Sequence, residues 1–116
     1  MKAQVGCCGW GFFNAKKVCG NAWKDKFRSK LQAYAKLFNL VEVNSTFYKL
    51  PKVSTASKWL EEAREVNKDF EFTVKVYQEI THKLKFGKES LEPFKQVCEV
   101  ASALHARILV FQTAAS

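Results

Sequence analysis

Leu40-Val41-Glu42-Val43-Asn44 and Phe70-Glu71-Phe72-Thr73-Val74-Lys75-Val76 are the stretches on which the fold turns. In the first, Val41 and Val43 share one face while Glu42 and Asn44 share the other. In the second, Phe70, Phe72, Val74 and Val76 oppose Glu71, Thr73, Lys75 and Tyr77. A period of two is that of a β-strand with one buried face. Two further runs have strand character, one from about Gln4 to Cys8 and one from Arg107 to Gln112. The latter is almost continuously apolar, as a strand covered on both faces would be. The intervening segments change period. Phe27, Leu31, Tyr34, Ala35 and Phe38 recur at helical intervals, with Lys26, Arg28 and Lys30 turned outward. Leu60 and Ala63 mark a second helix, beginning after Pro51 near Ser54 or Ser57. Phe94, Val97, Cys98, Ala101 and Leu104 mark a third, with Ser90 as the expected N-cap and Pro93 tolerated in the first turn. The order βαβαβαβ predicts an α/β fold with parallel strands joined by right-handed crossovers.

With 116 residues the chain has the length of one domain, and 47% hydrophobic content including ten Phe and three Trp supplies a core. A complete eight-fold (β/α) barrel takes roughly 200 residues or more. The net charge of +8 fits a phosphate, nucleic-acid or acidic partner, and fits equally a soluble protein with Lys-rich helix faces. Met1-Lys2-Ala3-Gln4-Val5 enters the first strand without the apolar segment of a signal peptide. No run approaches a membrane span, so the expected location is the cytoplasm and no membrane partner is expected. Cys7, Cys8, Cys19 and Cys98 form no C-x-x-C pair and read as structural, reduced thiols.

Helices must cover the apolar faces of the second and third strands, which turns Glu42, Asn44 and Lys75 to the other side of the sheet. In an open sheet that side is simply wet. In a closed barrel it lines the interior, where a carboxylate and an ammonium need each other, near the strand ends at which barrel enzymes build their sites.

The segment Val41-Glu42-Val43-Asn44-Ser45-Thr46-Phe47-Tyr48-Lys49-Leu50-Pro51 resembles the motif V-E-x-N-S-T-F-Y-x-L-P of the YecE-like family, also described as domain of unknown function 72. Val5-Gly6-Cys7-Cys8-Gly9-Trp10, then Phe72-Thr73-Val74-Lys75 with Ile80-Thr81-His82, then Leu109-Val110-Phe111-Gln112 follow in family order. The resemblance implies a TIM-type barrel with polar residues gathered at the C-terminal rim. The chain is then a partial barrel: residues 1–116 form a single domain similar to the N-terminal half of a (β/α)8 barrel. The positions it carries over are Trp10, Glu42, Asn44, Ser45, Thr46, Tyr48, Lys75, Thr81, His82 and Gln112. The family continues into a proline-containing turn where this chain reads Gln112-Thr113-Ala114-Ala115-Ser116. That departure implies a truncated frame, half of a split gene or a fragment.

Within this set Glu42 and Lys75 are a candidate acid/base pair, or a structural ion pair on adjacent strands. His82, on a Lys-rich loop, is a candidate acid/base or phosphate contact, or a residue capping a nearby carbonyl. Asn44, Ser45 and Thr46 can donate to an anion or orient Glu42, and can equally form Asx and ST turns. Trp10 and Tyr48 can stack on a base or sugar, or floor the barrel mouth. Thr81 and Gln112 complete the candidate ligand-binding set. No metal constellation is complete, and no cofactor is indicated. Lys16, Lys17, Lys83, Lys85 and Lys88 lie on loops expected to crown one end of the sheet. They favour a phosphorylated small molecule or nucleic acid, handled by a hydrolase or isomerase, or bound without chemistry by a nucleotide- or nucleic-acid-binding module. An inactive truncated paralogue is the remaining alternative. Exposed edges on a four-stranded half barrel point to a homodimer or to a separately encoded second half.

Overall fold

The computed structural model describes residues 3–83 and 86–113. Strands β1 (Gly6–Cys8), β2 (Leu40–Val43), β3 (Glu71–Lys75) and β4 (Leu109–Val110) form one sheet in the order β1-β2-β3-β4. Every pair is parallel. Between β1 and β2 run the short helices α1 (Ala15–Cys19) and α2 (Trp23–Lys26), followed by α3 (Lys30–Leu37). Helix α4 (Val53–Val66) joins β2 to β3, and α5 (Leu91–Ala103) joins β3 to β4.

The alternation in β2 and β3 is realised side chain by side chain. Val41, Val43, Phe70, Phe72, Val74 and Val76 are buried. They pack in one cluster with Leu31, Tyr34 and Ala35 of α3, Ala56 and Ala63 of α4, and Val97, Val100 and Ala101 of α5. Glu42, Thr73 and Lys75 stay half-buried on the opposite face.

The start of α3 and the length of β4 differ from those read in the sequence, while Ser90 stands at its expected cap position without the capping bond. The helix expected from Phe27 begins at Lys30, because Ser29 adopts an extended conformation and its hydroxyl accepts from Gln32 N–H at 3.2 Å. Gln32 reciprocates by accepting Arg28 N–H at 2.8 Å, a variant of the S-x-x-Q capping box. Gln32 also donates to the Glu62 carbonyl and the Glu65 carboxylate, fastening α3 to α4. Ser90 occupies the N-cap position of α5, but a 3-10 turn over Lys88–Ser90 leads into the helix and the Ser90 hydroxyl, buried, has no partner. Strand β4 spans two residues rather than six, since it is an edge with only β3 to pair with. At its far end α5 stops in a Schellman motif. Ala106 N–H reaches Ala101 C=O and His105 N–H reaches Ser102 C=O, with His105 at φ 54°.

A tyrosine is built into the ladder between β1 and β2. Gly9 N–H donates to Glu42 C=O at 2.8 Å, and the parallel pattern calls next for Cys7 N–H on Leu40 C=O. The Tyr34 hydroxyl joins these same two groups. It accepts from Cys7 N–H at 2.7 Å and donates to Leu40 C=O at 2.8 Å. The neighbouring Gly6 must lack a side chain, because a Cβ there would run into the Leu40 carbonyl.

Tyr34→Phe keeps the ring and deletes both bonds. Urea unfolding should show a loss of about 2 kcal/mol, the cost of stranding two backbone groups, and Gly6→Ala should destabilise at least as much. Burial pushes the Tyr34 phenol up from 10.0 to about 12. The unfolded chain therefore releases this proton first, so stability is intact below pH 10 and falls as pH rises toward 12. In Tyr34→Phe the contribution of this group to the alkaline decline should vanish.

Candidate functional site

All three loops that follow β1, β2 and β3 emerge at one end of a parallel sheet, and the candidate residues come from these loops and the strand ends beneath them. Register places Cys8, Glu42 and Thr73 side by side, with Asn44 and Lys75 at the next level toward the loops. After Val43 the chain turns through a 3-10 segment, Ser45–Phe47. Thr46 is fully buried. Its hydroxyl lies 2.9 Å from the Val43 carbonyl and 2.7 Å from the Lys75 carbonyl, so it ties the loop to the ends of two strands.

Phe47 is the centre of the arrangement. The Lys75 ammonium lies 4.5 Å from its ring centroid. The rings of His82 and Tyr48 each meet it edge to face at 5.1 Å. His82 sits in a π-helical turn, Glu79–Lys83, rather than on an open loop. Its Nδ1 is 2.7 Å from the hydroxyl of buried Thr81. When Thr81 donates, Nε2 carries the ring proton and is the nitrogen left to meet a ligand. Asn44 Oδ1 is buried without a hydrogen-bond partner. An orphaned acceptor of this kind is uncommon in a folded protein.

The expected ion pair between Glu42 and Lys75 does not form. The ion pairs of the described residues are Arg28–Glu65, Lys58–Glu62, Lys83–Glu79 and Arg107–Glu71. Register explains this, since Glu42 stands beside Thr73 and only diagonally from Lys75, and the Phe47 ring takes the ammonium. Glu42 instead neighbours Cys8. A hydrogen bond from the thiol to Glu42, reinforced by the carboxylate charge and by desolvation, pushes the Cys8 thiol up, while Lys75 opposes it. Cys8 is thus kept protonated rather than activated.

The other candidates disperse. The Trp10 ring packs edge to face against Trp59 of α4 at 5.0 Å and lies 6.5 Å from Phe72, on the helix side of the sheet. Tyr48 and Ser45 are exposed, and border a hollow of about 630 Å³ with Lys49, Lys52 and Thr55. Lys83 is exposed and held by Glu79 at 2.9 Å, which raises its pKa. Lys16 and Lys17 belong to α1 rather than to a loop, and Gln112 is exposed beyond β4. Lys85 and Ala114 lie outside the described residues. Among the described residues no three His, Cys, Asp or Glu side chains gather as a metal site would require, and no helix is long and apolar enough to cross a membrane. Sequence reasoning passed over Phe47 and Cys8. The first sat inside the longest motif, and the second falls on the Glu42 face once β1 is paired in register.

A parallel α/β sheet with helices on one face and a polar cluster at its C-terminal end is the class of protein that fold and site define. The chain belongs to the family described as protein of unknown function DUF72, whose model matches residues 4–115. It is also similar to UPF0759 protein YunF of Bacillus subtilis (strain 168), at 34% identity over 77 residues, which is 66% of this chain and 25% of that protein. The matched region thus spans about a quarter of the length of that curated relative. No solved structure matches the chain.

Replacing Phe47 by Leu keeps most of the buried volume and removes the ring. The unfolding free energy should fall by about 1 kcal/mol. In NMR spectra the His82 and Tyr48 ring protons and the Lys75 ε-methylene should lose their ring-current shifts. Unchanged shifts would mean that Phe47 does not hold the cluster together.

Proposed function

We propose that this sheet is half of a (β/α) barrel whose C-terminal rim binds a phosphate-bearing ligand, a phosphorylated small molecule or a nucleic-acid segment. The observation that carries the reading is the Lys75 ammonium, presented over the Phe47 ring without a carboxylate partner among the described residues. A cation left in that state at a strand end, with His82 against the same ring, is available to an anion. The net charge of +8 adds long-range attraction. Asn44 contributes its amide N–H₂, His82 its free ring nitrogen, and exposed Ser45 and Tyr48 flank the approach. Glu42, on the same face one level below, is the residue that would act on a bound molecule as acid or base in a hydrolase or isomerase. Binding without turnover, as in a nucleotide- or nucleic-acid-binding module, uses the same cations.

Calorimetric titration with pyrophosphate, a nucleoside triphosphate and a short oligonucleotide, at low and raised salt, tests the site. Affinity should fall with salt. Lys75→Met should weaken binding about tenfold or more, while Lys83→Ala, whose ammonium Glu79 already engages, should change it little. Equal binding by wild type and Lys75→Met would sink the proposal. Loss of turnover with retained binding in Glu42→Gln would select the enzyme over the binding module.

A further inference from the structure

We infer that the phosphate-bearing ligand of the rim is a single-stranded nucleic acid, seated in two hollows that each set aromatic rings beside lysines. The inference rests on the anion site proposed above and names the class of molecule that brings the phosphate. One hollow, of about 630 Å³, is bordered by Tyr48, Lys49, Pro51, Lys52 and Thr55. It begins one ring away from the anchoring cation, because Tyr48 meets Phe47 edge to face at 5.1 Å and the Lys75 ammonium lies 4.5 Å from the centroid of the same Phe47 ring. The other, of about 270 Å³, is bordered by Phe12, Phe13, Lys16, Trp23 and Lys30. Its loop is fixed by the Lys30 ammonium, which donates to the Gly11 carbonyl at 3.1 Å. The two hollows are built from the crossovers β2 to β3 and β1 to β2, which join paired strands, so neither is made by an edge of the sheet.

The chemistry of the two is alike. Tyr48 is 67% exposed and Phe12 wholly so, which leaves a ring face open to an unpaired base, and such stacking accepts every base. Lys16, Lys49 and Lys52 are exposed, and none takes part in the ion pairs of the described residues. Among the described residues no Asp or Glu borders either hollow. The larger hollow also opens, at Thr55, on the first turn of α4, whose N-cap Lys52 makes no side-chain capping bond and whose first turn carries no acid. The backbone N–H groups of that turn add to the positive field. A volume of about 630 Å³ suits an organic group rather than a lone phosphate. A small phosphorylated metabolite fills one such hollow. Two of the same make-up, on successive loops at one end of the sheet, fit a ligand that repeats base and phosphate. A duplex keeps its base faces covered, so the strand that stacks here is single.

Fluorescence anisotropy of labelled oligothymidylate and oligouridylate, each about ten residues long, tests this beside thymidine monophosphate and the matching duplexes. The single strands should bind about tenfold tighter or more than the mononucleotide and the duplexes, and the tighter of the two strands names the sugar. Phe12→Ala and Tyr48→Ala should each weaken single-strand binding about fivefold or more. Lys49→Gln combined with Lys52→Gln should weaken it and flatten its dependence on salt. Should a ring variant lose its helical circular dichroism, the exposed lysine pair decides in its place. Phe12→Ala should bind pyrophosphate as the wild type does. Equal affinity for the mononucleotide or the duplex, or strands held unchanged by both ring variants, would overturn the inference. Pyrophosphate binding that still depends on Lys75 would in that case leave the anion site standing. Strand binding weakened by the ring variants but not by Lys75→Met would fault the anion site alone.

Discussion

One hydroxyl group braces the first strand of the sheet against the helix beneath it. β1 is three residues long and exposed along its length, so it has little apolar burial to hold it. Its attachment is a short parallel ladder with β2, reinforced by the Tyr34 hydroxyl, which engages Cys7 N–H and Leu40 C=O. The tyrosine comes from α3, whose own start is set by the Ser29–Gln32 cap and whose flank is bound to α4 by Gln32. The phenol thus transmits the position of a helix to the edge of a sheet. A buried tyrosine needs a partner for its hydroxyl. Here the partner is a strand that would otherwise be weakly paired.

At the other end of the strands the same economy recurs with different groups. Thr46 binds the ends of β2 and β3 together, and Phe47, next in the chain, gathers Lys75, His82 and Tyr48 around one ring. A cation over an aromatic face is stabilised by an order of 0.5–1 kcal/mol when solvent-accessible. That is enough to orient an ammonium and too little to neutralise it. The site therefore keeps its charge while losing some of its freedom.

Much of the architecture was legible because β2 and β3 alternate so cleanly that only one face could be buried, and the helix periods between them left one order of elements. What was not legible depended on single side chains choosing between two local partners. Ser29 capped a helix that apolar spacing alone would have started at Phe27. Ser90, the more obvious cap, holds the cap position but makes no capping bond, because a 3-10 turn leads into the helix. Glu42 and Lys75 share a face, as their parity required, but parity does not fix the diagonal distance between them, and Phe47 was a competing partner that charge pairing ignored. Trp10 looked like a stacking platform just past the first strand. Its position on the helix side follows from Trp59, a residue with no mark in the sequence beyond its size.

The turn after β2 carries residues of two kinds within five positions. Thr46 and Phe47 are buried and spoken for by carbonyls and rings of their own fold. Ser45 and Tyr48 are exposed, and Asn44 holds an acceptor that nothing meets. A motif of this length is therefore a composite. Two of these five letters record how two strands are fastened, and the other three record what the fastening displays. A relative that kept Thr46 and Phe47 but varied Asn44, Ser45 and Tyr48 would share the scaffold and have changed its trade.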